Sequence, residues 1–187
     1  MRRFRRCTGF DPRNRVQAGI RSTGKRLARR STNAENPGIP LFWEFQPGFT
    51  FNKPPEVLAL HDRINDSNFR IQFDTSHAYR CSVVGSRQHG QKELLSGGVY
   101  EFLQLLQGRI GAIHLIDSDG TLHADETSTH RPFGEGLVDF KAITPHSLAV
   151  PNIEWWCVDL CFLPGSRELV DSSLAFVEEL LNRNTAA

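Results

Sequence analysis

Four short apolar runs, each closing on a side chain able to bind a metal ion, constrain this chain more than any other feature. They are Ile39-Pro40-Leu41-Phe42-Trp43-Glu44, Phe69-Arg70-Ile71-Gln72-Phe73-Asp74, Arg109-Ile110-Gly111-Ala112-Ile113-His114 and Trp155-Trp156-Cys157-Val158-Asp159. Short β-rich runs of this kind read as buried parallel strands, and packing alone gives no reason to end each on a carboxylate or an imidazole. The closing residues are 30, 40 and 45 positions apart. A βα unit takes on the order of 30 residues plus loop insertions, so Glu44, Asp74, His114 and Asp159 belong to four successive strands. In a β/α barrel the C-terminal strand ends meet on one face, where active sites are built. The expected fold class is therefore α/β, a partial (β/α)8 barrel of about four βα units. A complete barrel needs about 250 residues, and this chain has 187.

Helical patterns separate the runs. Pro54 and Pro55 open a helix through Val57, Leu58, Leu60 and Ile64, proline being suited to a helix N-terminus. Leu94, Leu95, Val99, Phe102, Leu103 and Leu106 form a second apolar face, its first turns weakened by Gly97-Gly98. Residues 118–136 are polar and aperiodic and read as a long loop, followed by helical positions Val138, Phe140 and Ile143. Residues 167 to about 183 form a terminal amphipathic helix through Leu169, Val170, Leu174, Phe176, Val177, Leu180 and Leu181. Ahead of the first strand the chain has a different character. Residues 1–25 lack sustained periodicity, residues 25–36 make a poor helix, and Asn36-Pro37-Gly38 breaks the chain. The expected division is a basic leader at 1–38, disordered or partly helical, and a half-barrel domain at 39–187.

Charge follows the same division. Residues 1–38 hold 11 basic residues, ten of them Arg, against 2 acidic ones, a net +9; the remainder holds 11 basic and 19 acidic, a net −8. An acidic body argues against broad nucleic-acid affinity, whereas the Arg-rich segment suits an anionic partner or a targeting role. No apolar stretch approaches the roughly 20 residues that span a bilayer, and no apolar segment follows the basic start as a secretory signal would require. Cys7, Cys81, Cys157 and Cys161 form no CxxC pair, and alternation puts Cys157 and Cys161 on different faces. They read as reduced thiols, Cys157 buried, in a cytoplasmic protein.

A mixed carboxylate and imidazole set suits a divalent ion of the Mn, Co, Mg or Zn type. His77 follows Asp74 by three residues and shares its mouth, although Asp74 also reads as a plain helix cap. The segment after His114 carries Asp117, Asp119, His123, Asp125, Glu126, His130 and Arg131, a density that fits either function or solvation. Gly134 and Gly136 bracket a turn that lets backbone approach a ligand closely.

The signatures Trp43-Glu44-Phe45-Gln46-Pro47-Gly48, Phe73-Asp74-Thr75-Ser76-His77, His114-Leu115-Ile116-Asp117 and His130-Arg131-Pro132-Phe133-Gly134-Glu135-Gly136 resemble the xylose-isomerase-like barrel superfamily over about residues 34–183. That superfamily holds sugar and sugar-phosphate isomerases and epimerases together with type IV apurinic endonucleases. The resemblance implies the C-terminal half of the barrel, with Glu44, Asp74, His114 and Asp159 holding one catalytic metal. It also implies that Glu44 and Asp159 form the acid/base pair, and that His77, His130 and Arg131 bind substrate. Two of the endonucleases' further zinc ligands fall on His77 and His130. Three departures stand out: Asp159 replaces the usual Glu, Ser128 replaces an endonuclease zinc ligand, and the first four strands of the family's barrel have no counterpart here.

The leading expectation is thus a metal-dependent sugar or sugar-phosphate isomerase or epimerase, working through enediolate proton transfer on a small-molecule sugar. Nucleic acid and membrane are not expected partners. A half-barrel cannot close alone, which makes a homo-oligomer of two halves one expectation and an inactive truncated paralogue or binding protein another. An apurinic endonuclease-like hydrolase is a third.

Overall fold

The computed structural model describes residues 12–32, 40–88, 90–124, 126–151, 153 and 156–185. The flanks of the expected leader, residues 1–11 and 33–38, lie outside them, as do Ile39, Asp125 and Trp155 of the expected strands and loop. In chain order the elements are α1 (Pro12–Thr32), β1 (Leu41–Glu44), α2 (Pro54–Ile64), β2 (Phe69–Asp74), α3 (Thr75–Tyr79), a π-helical turn (Arg80–Gly85), α4 (Gly98–Leu105), β3 (Ile110–Leu115), β4 (Asp117–His123), β5 (Thr127–Arg131), α5 (Phe140–Leu148), β6 (Trp156–Val158) and α6 (Val170–Thr185).

Four strands make one parallel sheet in the order β1-β2-β3-β6, with a strand, helix, strand succession along the chain. This is the expected α/β half-barrel. Burial alternates along β2: Phe69, Ile71 and Phe73 are buried beneath the helices, whereas Arg70 and Gln72 on the opposite face are half-buried. The core lies between the sheet and α2, α4 and α5, where Phe45, Phe73 and Phe102 bring ring centroids to 5.1–6.1 Å of one another. Each such fully buried side chain contributes roughly 1.5–3 kcal/mol of transfer free energy.

Sequence and structure differ at three places. Helix α1 covers residues 12–24, where no sustained periodicity is apparent. Its inner face is Ile20, Gly24 and Leu27, and Ile20 packs with Leu60, Ile64 and Phe69. Two of the positions facing its neighbours are glycines: a Cβ on Gly19 would come to 3.0 Å from the Phe51 ring and one on Gly24 to 3.0 Å from Arg63 Cγ. The apolar stripe is thus replaced by close backbone approach, which a hydrophobicity reading does not register.

The second difference is in residues 118–136. They are not a loop but hold most of an antiparallel hairpin, β4–β5, with Ser118 paired to His130 and His123 to Thr127. Its strands form a separate two-stranded sheet whose residues are polar even where they are buried, as at Asp117, Ser118, Ser128 and His130. Third, α4 starts at Gly98 and leaves Leu94 exposed, so its buried face is Val99, Phe102 and Leu103. Among the described residues Cys81, Cys157 and Cys161 are free thiols; Cys157 is half-buried rather than buried.

Candidate metal centre

Glu44 ends β1, Asp74 ends β2, His114 is the penultimate residue of β3, and Asp159 follows β6 directly. Parallel strands in register bring these ends together. A bulge makes the alignment work. Ile71 pairs with Ile110, but Gln72 pairs with Ala112, so β3 carries one extra residue, Gly111. Without it Asp74 would face Ile113; with it Asp74 faces His114. Gly111 is crowded there, since a Cβ would lie 2.5 Å from the Phe42 ring and 2.6 Å from Arg70 Cβ.

The four side chains converge on one atom. His114 Nδ1 lies 3.3 Å from Glu44 Oε1, 3.5 Å from Asp159 Oδ2 and 4.0 Å from Asp74 Oδ2. Gln72 and Gln46 donate to the two Glu44 oxygens, at 2.9 and 3.3 Å. The backbone holds the rest. Asp74 Oδ1 accepts the His77 N–H at 2.8 Å and caps α3, the Asp159 N–H donates to the Leu115 carbonyl, and Asp159 Oδ1 accepts the Cys161 N–H.

Burial works to raise Glu44, but hydrogen bonds from His114 and Gln72 outweigh it and bring the carboxyl down to about 2. Asp159 is likewise lowered, burial being overcome by His114 and the Cys161 N–H. Asp74 is fully buried and is raised by that burial against the pull of His77. His114 rises to about 10 because it hydrogen-bonds to Asp159 and Glu44. A cluster of three acids and one imidazole thus holds a proton very tightly, the property of a site that would exchange that proton for a divalent cation.

The donors fit such an ion. Glu44, Asp74 and His114 can place ligand atoms within 4.8 Å of one another, and the buried Asp74 Oδ2 has no hydrogen-bond partner among the described residues. A second group, Asp74, His77 and His130, meets the same spacing. Its two imidazoles are buried with ring centroids 5.9 Å apart, and neither ring nitrogen of His130 has a hydrogen-bond partner among the described residues. His77 Nδ1 is 2.5 Å from Ser128 Oγ, which also accepts from Ser76 at 2.6 Å. Ser128 therefore anchors His77 from the position where the resemblance leads to a carboxylate ligand.

Arg131 stands apart. It occupies the exposed face of β5, opposite His130, and donates from Nη2 and Nε to one oxygen of Asp119, Oδ2, at 2.6 and 2.8 Å. Gly134 and Gly136 do bring backbone close to a partner, but that partner is Asp117. Its buried carboxylate accepts the N–H groups of Ser118, Gly134, Gly136 and Val138 at 2.8–3.0 Å. Gln72 and Gln46 are site residues that the end-of-strand pattern does not single out. Alternation along β2 does place Gln72 on the inward face with Asp74.

The sequence matches the family described as xylose isomerase-like TIM barrel over residues 2–147. A comparison with curated proteins finds no match. Among solved structures, a xylose isomerase domain protein from Planctomyces limnophilus superposes with a TM-score of 0.65 at 15% identity, covering 89% of this chain and 53% of that one. An L-ribulose 3-epimerase gives 0.63 at 18% identity, with 89% and 55% covered. A xylose isomerase-like TIM barrel protein from Mycobacterium smegmatis, in complex with magnesium, gives 0.65 at 13% identity, with 94% and 53% covered. The chain thus spans a little over half the length of these structures.

Proposed function

The chain belongs to the xylose isomerase-like TIM barrel family, and from that premise we propose that it carries the metal and acid/base half of a sugar or sugar-phosphate isomerase or epimerase. The observation that supports this most is the convergence of Glu44, Asp74 and Asp159 on His114 Nδ1 within 4.0 Å. These four residues would hold a divalent ion of the Mn, Co, Mg or Zn class, oxygen donors suiting the harder ions and the imidazole widening the choice. When bound, such an ion polarises a carbonyl and an adjacent hydroxyl and stabilises negative charge developing between them.

The remaining chemistry falls to the chain. Glu44 and Asp159 come from the two outer strands of the sheet and approach His114 from opposite sides. That placement suits removal of a proton from one face of a carbon next to a carbonyl and its return to the other. Both carboxyls are lowered, so both stand ionised at neutral pH, the form in which a carboxylate takes up a proton. Asp74, fixed by its capping bond, serves as a ligand alone. His77 and His130 orient substrate hydroxyls, both ring nitrogens of His130 being without a hydrogen-bond partner among the described residues.

β1 and β6 have no outer strand neighbour among the described residues. Their free margins support a working form in which a further polypeptide, such as a second copy, completes the barrel. An inactive or binding-only chain is the competing outcome. A hydrolase of the endonuclease kind is not favoured, because Ser128 supplies no carboxylate beside His77 and His130. No helix among the described residues is long and apolar enough to cross a membrane; the cytoplasm remains our expectation for its location.

The test is exchange of the carbon-bound proton next to the carbonyl of ketose and ketose-phosphate substrates in D2O, with Mn2+ or Co2+ added and the mass in solution measured. Glu44→Gln and Asp159→Asn should each slow exchange roughly 10²-fold or more. Undiminished exchange in Glu44→Gln, or none in the wild type as an assembled oligomer, would refute the assignment.

A further inference from the structure

Gln72 lies on the inward face of β2, two residues before Asp74, and is the register partner of Glu44 across the β1–β2 pair. Its Nε2 donates to Glu44 Oε1 at 2.9 Å and sits 3.4 Å from His114 Nδ1. An amide nitrogen is a donor only. Beside Glu44 it holds Oε1, the carboxylate oxygen that lies 3.3 Å from His114 Nδ1. Beside His114 it stands 3.4 Å from Nδ1, the ring nitrogen nearest the three acids, and so bounds the orientation of that ring. One side chain therefore touches two members of the set.

We propose that Gln72 is the positioning residue of this centre: its amide holds the Glu44 carboxylate and the His114 ring in the orientation a divalent cation requires, and so sets the affinity of the site. The inference rests on Glu44, Asp74, His114 and Asp159 being a cation site and adds a residue to it that binds no ion itself. Partners of metal ligands typically contribute 10–100-fold in affinity.

The probe is Co2+ alone, titrated into the full chain and followed by its d–d absorption, which reports both occupancy and coordination. Gln72→Met keeps the length of the side chain and removes the donor. Gln72→Ala removes the donor without any demand for space, should the first variant fail to fold by circular dichroism. We expect the Co2+ dissociation constant to rise about tenfold or more, with a shifted absorption band. A folded variant with a change below about threefold and an unaltered band overturns the role of Gln72, provided that His114→Ala abolishes binding. If His114→Ala binds Co2+ as the wild type does, the cation-site reading falls and the inference with it.

Discussion

Asp74 and His114 stand abreast only because β3 contains one residue more than β2 over the same stretch. The pairing steps from Ile71–Ile110 to Gln72–Ala112, and Gly111 fits the step by lying against Phe42 and Arg70 with no room for a Cβ. We expect Gly111→Val to force these neighbours apart at a cost of about 1–3 kcal/mol and to lower Co2+ affinity together with stability. Parallel urea and Co2+ titrations read both. Wild-type affinity in a folded Gly111→Val protein would show that the bulge does not align the ligands.

Asp117 is expected to be a stability residue rather than a catalytic one. It is 2% exposed and accepts four backbone N–H groups, and a Cβ on Gly136 would overlap its Oδ1. Asp117→Ala strands buried donors that each cost on the order of 1–3 kcal/mol. The variant should lose at least about 3 kcal/mol of unfolding free energy. Gly136→Ala should unfold at lower urea as well.

The metal-free chain should show stability that depends on pH at both ends. His114 has a folded pKa of about 10, raised from 6.5, so its contribution is full below about 6.5 and is lost as pH rises through 10. Glu44 has a folded pKa of about 2, lowered from 4.5; its contribution is full above that ordinary value and is lost as pH falls through 2. A bound cation replaces the His114 proton, so Mn2+ or Co2+ uptake should release a proton at pH 7 and tighten as pH rises. Calorimetry in buffers of different ionisation enthalpy counts that proton. A count of zero would contradict a protonated His114 in the metal-free site.

Helix α1 is expected to belong to the cooperative unit. Ile20 is 3% exposed against Leu60, Ile64 and Phe69, and Ile20→Ala should cost about 2–5 kcal/mol. The change should appear in one unfolding transition seen by all probes. An unchanged urea midpoint would mean that α1 docks only loosely.

The strands and the convergence of their end residues were legible in the sequence because two signals coincide there: a short apolar run and a charged or imidazole residue at its end. Asp74 could be read either as a ligand or as a helix cap, and it is placed for both at once. The hairpin Asp117–Arg131 was hidden because its residues are polar on both faces, so no alternation of hydrophobicity marks them. Helix α1 was hidden because glycine supplies part of its packing face. Arg131 was drawn towards the site by its neighbour His130, but in a strand adjacent residues point opposite ways. Alternation puts Gln72 on the face of Asp74, but its contact with Glu44 needed the strand register as well.

The capping bond of Asp74 bears on how the proposed centre would hold an ion. One of its oxygens is committed to starting α3, and only the other is left without a hydrogen-bond partner among the described residues. An ion in that centre should therefore meet Asp74 through a single oxygen whatever its radius, whereas Glu44 and Asp159, at the sheet's two margins, are partly open to solvent.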